Sequence, residues 1–96
     1  MAYRLRCDRE FLKQLEKLPG DVRTIGRRAV RELAECPRPL RAKELEGHAG
    51  YYRLWLSHDH LLVWEVLDEE QVVDLLYIGP KLPDLYERLG LGRPVT

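Results

Sequence analysis

Arg23, Arg27 and Arg31 recur at every fourth position, with Arg28 beside them. On a helix that spacing lines their guanidinium groups along one face. Such a stripe suits a row of phosphates, whose charge the arginines would neutralise as counterions are released. It also suits a solvated helix face with Glu32 and Glu35 as partners. A second group is His58 and His60, which flank Asp59. Imidazole titrates near neutrality, so either ring is a candidate acid or base; a polar hairpin turn accommodates both equally well. As metal ligands they lack a third partner at ligand spacing. Cys7 and Cys36 are the only cysteines and form no CxxC pattern, so no metal or cofactor is implied. With nothing to suggest export, they read as two reduced, partly buried thiols.

The elements that must position these groups follow from periodicity. Ala2 to Cys7 alternates Tyr3, Leu5 and Cys7 against Arg4 and Arg6, a strand with one wet face. Asp8 is a good N-cap for a helix marked by Phe11, Leu12, Leu15 and Leu18, which Pro19-Gly20 stops. Asp21 is expected to cap a second helix, with the apolar stripe Val22, Ile25, Ala29, Val30 and Leu33. Pro37 and Pro39 end it. Leu40 to Gly50 is ambiguous between a helical turn and a loop. Three strands follow, at Tyr51–Ser57, His60–Leu67 and Gln71–Ile78, broken by Ser57-His58-Asp59 and Asp68-Glu69-Glu70. Leu82 to Leu89 reads as a short helix before the tail GLGRPVT.

The order β-α-α-β-β-β-α predicts an α+β fold, a small antiparallel sheet with the helix pair on one face. The other face is expected to stay open. Burying unpaired charge is costly, so the faces bearing Arg53 and Glu65 should be the wet ones. The open face would then show Arg53, Trp55, Leu61, Val63 and Glu65, much of it apolar and suited to a partner segment.

Composition agrees with this outline. Ninety-six residues, 33% charged and 45% hydrophobic, make one soluble domain, 1–96, with a single modest core. No apolar run is long enough to span a bilayer, and MAYRLRCDRE lacks the apolar stretch of a secretory signal, so the cytoplasm is the default location. Net charge is zero but uneven. Residues 1–44 carry 12 Lys/Arg against 7 Asp/Glu, or +5; residues 45–96 carry 4 against 9, or −5. The first half therefore offers a basic surface for an anionic partner.

The succession of segments resembles the RelE/ParE superfamily of toxins from type II toxin–antitoxin pairs. The resemblance is carried by the opening strand YRLRC and the helix end Lys17-Leu18-Pro19-Gly20. Next come Leu33, Pro37, Ala42, Leu45 and Gly47, then YYRLWL at Tyr51–Leu56, LLVWEVLDEE at Leu61–Glu70, VVDLLYIGPK at Val72–Lys81 and Tyr86. It spans nearly the whole chain, although no single motif is specific.

The resemblance to the RelE branch implies a ribosome-dependent messenger-RNA endonuclease that needs no metal. In that chemistry the 2′-hydroxyl of one nucleotide attacks the neighbouring phosphate, and basic groups stabilise the charge that develops. Matched position by position, Arg53 stands at a basic site of the first meander strand. Lys81 stands at the basic site after the Ile-Gly turn, and Tyr86 at the tyrosine of the last helix. Trp55 and Leu61 stand where the pattern carries positive charge, two losses that leave an acid or base role open for His60. The Arg23, Arg27, Arg28 and Arg31 stripe would meet ribosomal RNA. Trp55, Leu61 and Val63 would meet a small cognate antitoxin, with a toxin–antitoxin heterotetramer as one assembly. The resemblance also leaves room for a ParE-like inhibitor of DNA gyrase, or for an interaction module without toxicity.

Overall fold

The computed structural model describes residues 2–91; of the tail GLGRPVT, residues 92–96 lie outside the described residues. The elements are β1 (Arg4–Cys7), α1 (Arg9–Glu16), α2 (Gly20–Leu33), β2 (Lys43–Glu44), β3 (Tyr51–Trp55), β4 (His60–Leu67), β5 (Val72–Pro80) and α3 (Leu85–Arg88). They form one five-stranded sheet in the order β1-β5-β4-β3-β2. The meander β3-β4-β5 is antiparallel, as alternation predicts. The expectation of a wholly antiparallel sheet is corrected at one edge, because β1 pairs with β5 in parallel, Arg4 opposite Val72 through Cys7 opposite Leu75. The ambiguous segment 40–50 contributes β2, a two-residue edge strand with Lys43 opposite Arg53 and Glu44 opposite Tyr52.

Both long helices cover one face of the sheet. The Asp8 carboxylate accepts the Phe11 amide at 2.9 Å and fixes the start of α1. The second cap falls elsewhere than predicted: Pro19 takes the N-cap position of α2, with no side-chain cap, and Asp21 lies inside the first turn. There its charge faces the positive end of the helix dipole. Phe11, Leu18, Val22 and Leu33 are buried against Leu62, Trp64, Val73 and Ile78 of the sheet. Leu12 and Ile25, both read from spacing as apolar-face residues, are exposed. Gly26 takes the contact instead. A Cβ there would come within 3.0 Å of Ile78 Cδ1, so the absent side chain lets α2 approach the strand. The side chain of Gln14 on α1 accepts the Ile78 amide at 3.2 Å, tying that helix to β5.

The largest departure from expectation concerns the opposite face. A second core of Leu45, Leu61, Val63, Tyr77 and Leu85 fills it at one end, with Leu82, Tyr86 and Leu89 packed alongside. Leu61 and Val63, expected to lie open with Arg53 and Trp55, are fully buried. Their face was read correctly, since Arg53 pairs with Val63 and Trp55 with Leu61. What covers them is α3 and the segment around Leu45. Buried on both faces, β4 reads Leu61-Leu62-Val63-Trp64 without a polar break.

A bulge between Val63 and Trp64 adjusts the register. Val63 pairs with Tyr77 and Trp64 with Leu75, so Leu76 is the extra residue on β5. That slip sends Leu75 to the helix side and Tyr77 to the second core.

The long connection after α2 is bound down by polar contacts. Arg38 donates to both oxygens of Asp68, at 3.1 and 2.6 Å, and its Nε donates to the Tyr52 hydroxyl at 2.9 Å. The Tyr3 hydroxyl donates to the same carboxylate at 2.7 Å. The Tyr52 ring stacks on Trp64, whose indole N–H reaches the Pro37 carbonyl at 2.9 Å. Hydrogen bonds from Arg38 and Tyr3 hold the Asp68 carboxyl below its ordinary range. A carboxyl lowered by folding stabilises the native state above its unfolded pKa, and that contribution is lost as pH falls through the folded value. Asp68→Asn is therefore expected to be less stable than the parent at neutral pH. The gap should begin to shrink near the ordinary carboxylate pKa, about pH 4, and close only below the lowered folded value. Urea titrations on either side of that pH measure the difference; a gap that stays constant would remove the ion pair as its source.

Cys7 and Cys36 are free thiols, both exposed rather than partly buried. Among the described residues no helix is long and apolar enough to cross a membrane.

Candidate active site

Where β2 and β3 meet the segment after β5, the surface opens into a cleft of about 370 Å³. Arg53 and Trp55 reach it from β3, Lys43 and Glu46 from β2 and the turn beyond, and Lys81 and Tyr86 from the connection to α3. Each is placed by a local device. Alternation along β3 sends Arg53 and Trp55 to one face. Their side chains lie close, with the guanidinium carbon 6.0 Å from the Trp55 ring centre. Lys81 follows a shaped strand end. The Tyr77 hydroxyl donates to the Pro80 carbonyl at 2.6 Å, and the Lys81 amide donates to the Asp59 carbonyl at 3.0 Å. Between them Gly79 holds φ +156°, and a Cβ there would meet the Tyr77 hydroxyl at 2.9 Å, so only glycine fits. The Lys81 ammonium stands 5.1 Å from the centre of the Tyr86 ring and donates to the Leu82 carbonyl at 3.3 Å. Tyr86 is positioned by the short helix α3, which Leu85 anchors in the second core.

The electrostatics of the cleft are unbalanced. Among the described residues Lys43, Arg53 and Lys81 form no ion pair, whereas Arg6, Arg27, Arg38 and Arg88 each hold a carboxylate. Glu44 also borders the cleft, but its carboxylate accepts the Gly50 amide at 2.9 Å. Glu46 has no recorded partner among the described residues. Burial raises the pKa of the Tyr86 phenol, and the nearby charge of Arg53 offsets only part of that. Tyr86 is therefore a neutral hydrogen-bond donor at physiological pH rather than a base.

The structure thus gathers Arg53, Lys81, Tyr86 and Trp55 into one cleft and leaves His60 out of it. His60 pairs with Pro80 at the start of β4, one residue from Leu61, and so faces the helix side. Its Nδ1 lies 3.0 Å from the Ser57 hydroxyl and 2.8 Å from the Asp59 carboxylate. The only irregularity in β4 is the bulge at Val63/Trp64, too far along to turn His60 around. The structure thus places His60 outside the cleft, where it anchors the β3–β4 turn. Leu61 and Val63, fully buried under α3, offer no side chain to a partner; Trp55, 36% exposed, does.

The basic stripe splits in two. Arg27 bridges to Glu16 of α1, and Arg23 donates to the Glu16 backbone carbonyl at 3.1 Å. Arg28 and Arg31 are exposed and carry no ion pair among the described residues. Neither Glu32 nor Glu35 serves as the partner the solvated-face reading requires; Glu16 does. Sequence reasoning missed Lys43 and Glu46. The signal available was alternation about Arg53's partner strand, but two residues are too few to display it.

No model of a known protein family matches the chain. Individual relatives do. The chain is 35% identical over 82 residues to the mRNA interferase toxin RelE of Escherichia coli K12, an alignment covering 84% of this chain and 85% of that protein. The mRNA interferase RelE of Shigella flexneri matches with the same figures. A doubly substituted E. coli RelE in the free state superimposes with a TM-score of 0.76 at 30% identity, over 94% of this chain and 96% of that one. The toxin in the intact E. coli RelBE toxin–antitoxin complex gives 0.71 at 33% identity, over 84% and 99%. The sheet order and the helix pair are those of RelE/ParE toxins. Within that class the chain belongs to the RelE family.

Proposed function

We propose that this chain is a toxin that cleaves messenger RNA on the ribosome, in the cytoplasm, and is held inactive by a small cognate antitoxin. The observation that carries this reading is the convergence of Arg53, Lys81 and Tyr86 on one cleft whose cations have no carboxylate partner among the described residues. Such a site is arranged to bind an anion. The relatives named as mRNA interferases and those solved with RelB antitoxins support the same reading.

The reaction assigns a task to each group. The 2′-oxygen bonds to the adjacent phosphorus, the bond from phosphorus to the 5′-oxygen breaks, and a cyclic 2′,3′-phosphate and a free 5′-hydroxyl result. Arg53 presents a fixed fork of donors to the phosphoryl oxygens, where negative charge grows. Lys81 adds a second positive charge and is the ammonium able to protonate the departing oxygen. Tyr86 donates a hydrogen bond from its neutral phenol. With His60 on the other face, Glu46 is the cleft carboxylate without a partner among the described residues, and it takes the proton of the 2′-hydroxyl. Trp55 lies at the mouth of the cleft, where its exposed ring stacks on a base or is covered by the antitoxin. Arg28 and Arg31, which pair with no carboxylate among the described residues, approach ribosomal phosphates.

Tyr86→Phe is expected to slow cleavage less than loss of either cation. The factor should be constant between about pH 6 and pH 9, because a phenol with a raised pKa does not titrate there. A rate ratio that changes across that range would give Tyr86 a proton-transfer role instead. The reading as a whole is tested by inducing the chain in a bacterial host and mapping messenger 5′ ends. New ends within translated codons support it. Filamentation without new ends would instead favour the gyrase-inhibitor reading, to which the uncharged Trp55 and the buried Leu61 lend weight.

A further inference from the structure

Lys43 sits directly opposite Arg53 in the antiparallel register of β2 and β3. Side chains in that relation share a face with their Cβ atoms about 5 Å apart, and like charges so placed repel. Several arginines of this protein have a carboxylate to offset their charge. Arg6 has Asp74, Arg38 has Asp68 and Arg88 has Asp84, whereas Lys43 and Arg53 have no carboxylate among the described residues. The pair is nevertheless held in place by hydrogen bonds just beyond it. The Leu45 amide donates to the Tyr51 carbonyl at 2.7 Å, and the Glu44 carboxylate is committed to the Gly50 amide. Leu45 is also buried in the second core, so β2 cannot drift away to relieve the repulsion.

On β4 the residue directly opposite Arg53, Val63, is uncharged, and the charge on that face, Glu65, lies diagonally, opposite Tyr51. The next inward pair is Trp55 with Leu61. Besides Arg53 itself, the cations that line the cleft are Lys43 on β2 and Lys81 after β5.

We propose that Lys43 is a phosphate-contacting residue of the RNA cleft, binding the same phosphodiester as Arg53. The ligand class is single-stranded RNA, and the repulsion between the two cations is relieved when a phosphate oxygen lies between them. This deepens the nuclease reading and rests on it for the identity of the bound strand. The binding itself is separable from cutting.

The test uses the full chain and a single-stranded RNA oligonucleotide methylated at every 2′-oxygen, which cannot be cut by 2′-hydroxyl attack. Affinity is measured over a range of salt. Lys43→Gln is expected to weaken binding about tenfold, the size of one charge-assisted hydrogen bond. It should also lower the slope of log affinity against log salt by about 0.7, the value for one phosphate contact on a single strand. Lys43→Arg should retain both, and Lys13→Gln, which removes the same charge from α1, should leave the slope unchanged. The proposal is overturned if Lys43→Gln keeps the parent slope, if Lys13→Gln lowers it equally, or if the parent chain shows no salt-dependent binding. Cleavage of an unmodified messenger by the parent chain is read separately. A parent that binds through Lys43 but cuts nothing would retain this site and remove the nuclease reading. A parent that cuts, with a slope indifferent to Lys43, would do the reverse.

Discussion

Arg53→Ala is expected to slow single-turnover cleavage of messenger RNA on programmed ribosomes by about 100-fold or more, the usual cost of losing one donor aimed at transition-state charge. Lys81→Ala should do the same. The two residues approach the cleft from different elements, β3 and the connection after β5, so the phosphate is gripped from two sides. Neither spends its charge on a carboxylate among the described residues, so removing it frees no buried anion and leaves the fold intact. The loss should fall on the chemical step, with antitoxin binding unchanged. Because both act on one phosphate, the double variant should lose less than the product of the single effects. An Arg53→Ala protein that cuts as fast as its parent would take the reaction out of this cleft altogether.

Trp64→Ala is expected to be the most destabilising single truncation, at about 3–5 kcal/mol. Trp64 is the largest fully buried side chain. It stacks on Tyr52 at 6.0 Å between ring centres, and its indole N–H satisfies the Pro37 carbonyl. Truncation opens a cavity beneath both helices and leaves that carbonyl without its donor. A domain of this size has only about 5–15 kcal/mol in total. The variant should therefore unfold at a markedly lower urea concentration with a similar slope, followed by far-UV circular dichroism. Trp64→Phe keeps most of the volume and should lose only a fraction of this. Equal losses in the two variants would shift the weight from packing to the single hydrogen bond.

What the sequence discloses of this fold depends on how local the cause is. Phe11, Leu15 and Leu18 repeat at helical spacing, and Tyr51 to Trp55 alternates, so the helix pair and the meander are readable from neighbours a few residues apart. The parallel pairing of β1 with β5 has no such signal, since its partners are far apart in the chain and only the tertiary fold brings them together. The second core is assembled from Leu45, Leu61, Val63, Tyr77 and Leu85, drawn from four segments, two of which show no periodicity. Missing it made the far face of the sheet look open. The uninterrupted run Leu61 to Trp64 was the available clue, because a strand wet on one side should have alternated. Within the site, Arg53, Lys81 and Tyr86 were legible through the family resemblance, and the structure brings them to one cleft. His60 was placed by the same alternation that places Arg53, and its neighbour Leu61 sends it to the other face. Lys43 stayed hidden because a two-residue strand has no pattern of its own.

The parallel seam between β1 and β5 also bears on how this molecule comes into being. Arg6 and Asp74, joined across that seam, are 68 positions apart. Pairings so distant are slow to form, because chain entropy is lost before the contact rewards it. During synthesis β1, α1 and α2 emerge long before the strand on which they depend, and the helix pair has no sheet to cover until β5 arrives. Lys81 follows β5 at once, and Tyr86 lies beyond it. A ribosome stalled partway through this chain therefore releases a fragment with neither a closed sheet nor a complete cleft. The hazard the finished protein poses to translation begins only once β5 and the segment carrying Tyr86 have been made.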